Sequence, residues 1–90
     1  MASFYAESFH GRKTTWGETY NHWGLTAASN NHKYKTKLRV CRADKASRCV
    51  NVVVNDTGQL YGRFLDLSGA AASKLRMLKE GVIPITVEVL

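Results

Sequence analysis

KLRVCRADKASRCVNVVVND, residues 37–56, decides the architecture. Side chains of a β-strand alternate between two faces. In Lys37–Arg42, Leu38 and Val40 fall on one face, and Lys37, Arg39 and Cys41 on the other. In Cys49–Val54, Val50, Val52 and Val54 share a face. The polar RADKASR between them reads as a hairpin loop. Setting Cys41 opposite Cys49 sets Val40 opposite Val50 and Leu38 opposite Val52. A one-residue slip would turn the valines out to solvent, so the register that joins the sulfurs also buries the apolar rows. A cross-strand disulfide follows as the expected pairing, with two neighbouring free thiols as the alternative. Closing so short a loop contributes about 2.5 kcal/mol in the chain-entropy model and points to an oxidising compartment. A metal site fits less well, because no second Cys or His pair stands at ligand spacing.

Working outward, ASFYAES at 2–8 and ITVEVL at 85–90 read as terminal strands, and LTAA at 25–28 as a short apolar one. One helix is predicted over 69–79. Ser68 serves as its N-cap, Ala71, Leu75 and Leu78 as its apolar stripe, and Gly81 as its stop. The sum is a small β-barrel with one helix. Residues 11–24, GRKTTWGETYNHWG, are long and aperiodic yet rich in Trp, Tyr and His. Loops of that length in compact domains usually carry function.

Ninety residues, 44% of them hydrophobic, suffice for one domain spanning 1–90. No run of ~18 apolar residues is present to span a bilayer. MASFYAESFHGR lacks the apolar segment of a signal peptide. Met1 therefore reads either as a start placed before a mature domain or as the start of a cytosolic chain. Thirteen Lys and Arg stand against seven Asp and Glu, densest in HKYKTKLRVCR at 32–42. Such a balance suits an acidic polymer, anionic lipid or nucleic acid, or simply a solvated strand face. No RNP-type aromatic motif, zinc pattern or basic helix favours nucleic acid.

Two aspartates end apolar runs: Asp56 after the valine row, with the same parity, and Asp66 in RFLDLS. Glycosidic cleavage needs a carboxylic acid to protonate the leaving oxygen, and a second group often stabilises charge at the anomeric carbon. Each has a plainer alternative. Asp56 opens the turn Asp-Thr-Gly, and Asp66 lies near a helix start. Trp16, Tyr20, Trp23 and Tyr61 lie in predicted loops beside these acids, where rings can stack on sugar faces. The alternative for Trp16 and Trp23 is burial as barrel core.

The order of FHGRKTTWGE, LTAAS, VNDTG and GRFLDLSGAAASKL resembles the RlpA-like double-psi β-barrel of septal lytic transglycosylases, and more distantly that of expansins, over nearly the whole chain. The resemblance implies a mainly-β, six-stranded double-psi barrel with one or two short helices and a shallow polysaccharide groove. It implies a lytic transglycosylase acting on the bond between N-acetylmuramic acid and N-acetylglucosamine. The alternative is a non-catalytic, expansin-like module of the cell wall. Glu18 matches the acid of the GE motif, Asp56 that of the NDxG motif, and Asp66 the aspartate of the DLS motif of expansins and barrel glycosidases. Asn21 stands where relatives often carry aspartate. Ser29 stands where they carry histidine after LTAA, and serine is neither acid, base nor cation near neutral pH. His32 follows three residues later. The expected catalytic set is Asp66, Asp56 and Glu18. The expected substrate contacts are Trp16, Tyr20, Asn21, Trp23, Ser29 and Tyr61. No cofactor or metal is expected. The expected setting is a monomer, secreted, periplasmic or wall-associated, with glycan rather than membrane or nucleic acid as its partner.

Overall fold

The structure is a computed structural model, and it describes residues 1–58 and 64–90. Six strands form one curled sheet: β1 (Ala2–Phe4), β2 (Thr26–Ala28), β3 (Lys37–Arg42), β4 (Cys49–Asp56), β5 (Leu65–Leu67) and β6 (Ile85–Val89). Their order is β1-β5-β2-β4-β3-β6. The pairs β1·β5 and β2·β4 are parallel, and the others antiparallel. The curl brings the ends of the sheet together. Ala2 N–H donates to the Ile83 carbonyl at 2.8 Å, and Ile83 N–H to that of Ala2 at 3.0 Å. The result is the mainly-β, double-psi type of barrel that the sequence implies.

The hairpin follows the valine parity. Val40 pairs with Val50, Leu38 with Val52, and Cys41 with Cys49. Leu38, Val40, Val52 and Val54 lie in the core with Leu65, Leu67, Leu75 and Met77. Cys41 and Cys49 are joined by a disulfide on the outer face. We expect reduction to lower the unfolding free energy by about 2.5 kcal/mol, the loop-closure value for so short a ring. Urea melts with and without dithiothreitol measure it, and coincident melts would refute it.

Three elements differ from expectation. The helix α1 spans only Gly69–Lys74. Ser68 caps it as expected, its Oγ accepting from Ala71 N–H at 3.2 Å. It ends early because Arg76 adopts a left-handed φ of 54° and Met77 N–H bonds back to the Ala72 carbonyl. That pattern is a Schellman stop with arginine in glycine's usual place. Arg42, from β3, makes the stop affordable: its Nη1 donates to the carbonyls of Leu75 and Arg76 at 3.0 and 2.9 Å, satisfying groups a helix end leaves orphaned. Met77 is consequently buried, and Leu78, expected on the apolar stripe, is exposed. The first strand stops at Phe4, and Glu7–Phe9 forms a 3-10 turn instead. The 11–24 segment is an ordered excursion rather than a bare loop. Gly11 N–H reaches the Tyr20 carbonyl, Tyr20 N–H the Arg12 carbonyl and Thr14 N–H the Glu18 carbonyl, around Gly17 with φ 87°.

Candidate active site

The site is built across one row of the sheet. On β2, Ala28 registers with Asp56 of β4 on one side and with Asp66 of β5 on the other. Ser3 of β1 registers with Asp66. A shift of register between Ala27 and Ala28 lets β4 carry Asp56 into this row, with Asn55 buried behind it. Two inter-strand steps separate Asp56 from Asp66, roughly 10 Å between Cα atoms, a scale compatible with paired glycosidase carboxyls at ~5–9.5 Å. The residue between them is alanine, and the space it leaves belongs to a cavity of about 440 Å³ lined by Asp56, Asp66, Ala28, Tyr5, Tyr20 and Phe9, with Arg12 and Lys13 also in its wall.

Each carboxylate is oriented by its neighbours. Asp56 accepts from Tyr5 Oη at 2.5 Å, from Thr15 N–H and Thr15 Oγ1 at 2.8 Å each, and from Thr57 N–H at 2.9 Å. The bond from Thr57 is the turn-capping role that Asp-Thr-Gly suggested; the bonds from Tyr5 and Thr15 are long-range and aim the side chain. Asp66 accepts from Ser3 Oγ at 2.9 Å. β5 holds Asp66 in place by its two flanks, Leu65 and Leu67, both fully buried.

The other wall is aromatic. Tyr5 and Tyr20 stack with centroids 4.4 Å apart, Phe9 packs edge-on to Tyr5, and the Arg12 guanidinium lies 5.3 Å from the Phe9 centroid. Tyr20 Oη accepts from Gly69 N–H at 3.2 Å and bonds His22 Nδ1 at 2.9 Å. A Cβ at Gly69 would lie 2.2 Å from His22 Nε2, so a larger residue there would displace the His22 ring from Tyr20. Burial pushes the Tyr5 phenol well above its ordinary value, and its bond to Asp56 and the charges of Asp56 and Asp66 push the same way. Burial also raises Tyr20; the Gly69 bond opposes this, and the Asp66 charge adds to it.

A raised folded value means that the folded state holds its phenol protons more tightly than the unfolded chain does. That stability is fully present below pH 10.0, the ordinary tyrosine value, and is lost as pH rises above it. We expect urea midpoints to fall from pH 10 upward, and to fall less steeply in Tyr5→Phe. Equal slopes in the two proteins would refute this.

The expected site residues do not all converge on the cavity. Asp56, Asp66 and Tyr20 meet in the cavity. Glu18 is not among its lining residues: its carboxylate accepts from Tyr34 Oη, and Trp16 stacks on the Tyr34 ring at 5.0 Å. Trp23 stands apart, edge-on to His10 and His22, with its backbone N–H donating to Asn21 Oδ1 at 3.0 Å. Trp16 and Trp23 are 41% and 62% exposed, which removes the reading of either as barrel core. Ser29 is fully buried beside the cavity. Its N–H donates to the Asp56 carbonyl, its Oγ accepts from Asn31 N–H, and His32 Nδ1 lies 3.1 Å away. Tyr61 lies outside the described residues. Sequence reasoning missed Ser3, Tyr5, Phe9, Arg12 and Thr15. Ser3 and Tyr5 were read only as strand residues, and nothing local marks Thr15 as the partner of an aspartate 41 positions on.

Residues 1–87 match the lytic transglycolase family. The chain is 43% identical, over its whole length, to a protein of Campylobacter jejuni named endolytic peptidoglycan transglycosylase RlpA, of which it covers 33%. It is 42% identical over 97% of its length to the protein of that name from Pseudomonas aeruginosa, covering 26% of it. It is 40% identical over 99% of its length to a probable RlpA of Aquifex aeolicus, covering 39%. The chain thus spans well under half the length of these relatives. With the carboxylate row, the curled six-stranded sheet and a match running from residue 1 to residue 87, the chain belongs to the lytic transglycolase family and has its double-psi β-barrel fold.

Proposed function

We propose that this domain binds glycan strands of peptidoglycan in the Asp56/Asp66 cavity and cleaves them as a lytic transglycosylase. The observation that carries the reading is the row Asp66–Ala28–Asp56, two carboxylates facing one cavity across a residue too small to fill it. Relatives named as peptidoglycan transglycosylases supply the substrate class.

Asp66 is the general acid. Its proton passes to the glycosidic oxygen between N-acetylmuramic acid and N-acetylglucosamine as the bond from that oxygen to the anomeric carbon breaks. The muramic 6-hydroxyl then bonds to the anomeric carbon, and its proton returns to Asp66, leaving a 1,6-anhydro end. Asp56, fixed by its donors, faces the positive charge that develops during cleavage. Phe9, with Tyr5 backed by the buried Tyr20, offers an aromatic wall for sugar C–H groups. Glu18, Trp16, Asn21 and Trp23 act farther along the strand, outside the cavity. The domain works outside the cytoplasm, where the Cys41–Cys49 bond persists.

A second reading, glycan binding without cleavage, is favoured by Ser29. At the position where the resemblance leads one to expect histidine, the chain has a buried hydroxyl that is neither acid, base nor cation near neutral pH. Incubation with peptidoglycan, intact and stripped of stem peptides, separates the two. Anhydro-muropeptides detected by mass spectrometry support cleavage. Binding without product supports the second reading, and neither binding nor product refutes both.

A further inference from the structure

A second depression, of about 430 Å³, adjoins the cavity across a shared wall. Tyr20 lines the cavity and His22 the depression, and Tyr20 Oη bonds His22 Nδ1 at 2.9 Å. Gly69, whose N–H donates to the same Oη, also lines the depression, close along the chain to Asp66. The 3-10 turn Glu7–Phe9 borders both hollows, with Glu7 in the depression and Phe9 in the cavity. The depression therefore lies on the Asp66 side of the carboxylate row. Trp23 and Leu78 supply its apolar surface, and Glu7, Ser73 and Lys74 its polar groups. Trp23 is the most exposed large hydrophobic side chain among the described residues, and Leu78 is also exposed. Exposed apolar groups gathered in one hollow mark a binding surface, where scattered ones do not. Trp23 is held firmly for that role. Its ring lies 4.6 Å from that of His10 and 5.5 Å from that of His22, and His22 N–H donates to His10 Nδ1 at 3.1 Å. The rings of Tyr5, Tyr20, His22 and Trp23 form a series with centroid spacings of 4.4, 5.9 and 5.5 Å, so the packing that builds the cavity wall also fixes Trp23.

The composition of the hollow selects its occupant. Glu7 and Lys74 bring one carboxylate and one ammonium, which offset each other, so no net charge is favoured. What fits is a neutral group with an apolar face for Trp23 and Leu78 and a rim of hydrogen-bonding groups for Glu7, Ser73 and Lys74. A pyranose ring has that form, with C–H groups on its faces and hydroxyls around its edge. Of the two sugars of the strand, N-acetylglucosamine is neutral, whereas N-acetylmuramic acid without its peptide carries a free carboxylate. We infer that the depression is a saccharide subsite that takes an N-acetylglucosamine unit of the strand whose reacting bond lies in the cavity; this rests on the function proposed above. A strand held in the cavity is presented to the depression at high effective concentration, so a modest contact there adds to the affinity.

The probe is soluble peptidoglycan glycan strands freed of stem peptides. Calorimetric titration compares the parent with Trp23→Ala and with Leu78→Ser, which alters the same hollow from another piece of chain. Phe9→Ala reports on the cavity alone. Circular dichroism checks each fold. The chain has two tryptophans, so Trp16→Phe leaves Trp23 as the sole indole reporter. We expect Trp23→Ala to bind strands about tenfold more weakly, a change of ~1.4 kcal/mol, and Leu78→Ser to weaken binding in the same sense. In Trp16→Phe, the strands should shift Trp23 emission saturably. Trp23→Ala and Leu78→Ser proteins that bind as the parent does overturn the inference, as does Trp23 emission that the strands leave unmoved. A dimer in sedimentation velocity that Trp23→Ala dissociates assigns the hollow to a second copy of the chain and overturns it too. The cavity reading is judged separately. If Phe9→Ala weakens binding while the Trp23 and Leu78 variants do not, the cavity stands and the subsite falls. If the Trp23 and Leu78 variants weaken binding while Phe9→Ala does not, the depression binds sugar and the cavity reading falls.

Discussion

If the cavity cleaves glycan as proposed, Asp66→Asn should lower the release of anhydro-muropeptides by about 10²–10⁴-fold, the range for loss of a proton-transfer group, and leave the barrel folded. Asparagine keeps the shape of the side chain and an oxygen that can still accept from Ser3 Oγ. What it lacks is a proton to give to the glycosidic oxygen. Parental turnover is itself expected to be slow, because Ser29 replaces an ionisable group, so the comparison requires long incubations and mass-spectrometric detection. Glycan binding by Asp66→Asn should stay near the parental level. Turnover equal to the parent's would remove Asp66 as the acid and leave Asp56 as the remaining carboxylate of the cavity.

Leu67→Ala destabilises the fold by about 2–5 kcal/mol, the range for deleting most of a fully buried leucine. Leu67 is wholly buried and pairs with Phe4 on one side and Ala27 on the other. For a domain of this size the loss is a large share of a total near ~5–13 kcal/mol, and it should lower the melting midpoint by ~10 °C or more. Because β5 has three residues, with Asp66 between its two leucine anchors, the same change should loosen the acid. Activity then falls even at temperatures where the protein remains folded. A midpoint within a degree or two of the parent's would show that β5 is not anchored by its core face.

These two residues also mark how far the sequence could be read. The β3–β4 hairpin was legible because period-two alternation and the cysteine spacing agreed on one register. The Asp56 parity misled: β4 does run on through it, but the register shift at Asn55 turns Asp56 off the valine face and into the row of Ala28 and Asp66. The end of α1 was not, because it depends on Arg42, a residue of β3 that is distant in sequence and caps carbonyls no local pattern involves. The pairing of Asp56 with Asp66 was legible only through the resemblance. Geometrically it depends on Ala28 lying between them in the sheet, a relation of three strands that periodicity does not encode. Glu18 shows the converse. Its motif stands close to Trp16 in sequence and in space, yet its carboxylate turns to Tyr34 rather than to the cavity. Local spacing cannot state which way a side chain of the 11–24 excursion faces.

The bridge between Ala2 and Ile83 has a consequence for the order of assembly. It joins nearly the first residue to nearly the last, and the loop-closure cost of such a contact is met before the contact itself contributes. The β3–β4 hairpin needs no such search and can form early, carrying Asp56 with it. Its orientation waits, however: Tyr5, which bonds Asp56, and Ser3, which bonds Asp66, reach their positions only when the amino-terminal strand docks against β5. A chain caught before that docking would have its disulfide and its valine row but neither carboxylate held by its long-range partner. The competence of the cavity is therefore gained late in folding, with the meeting of the two ends of the chain.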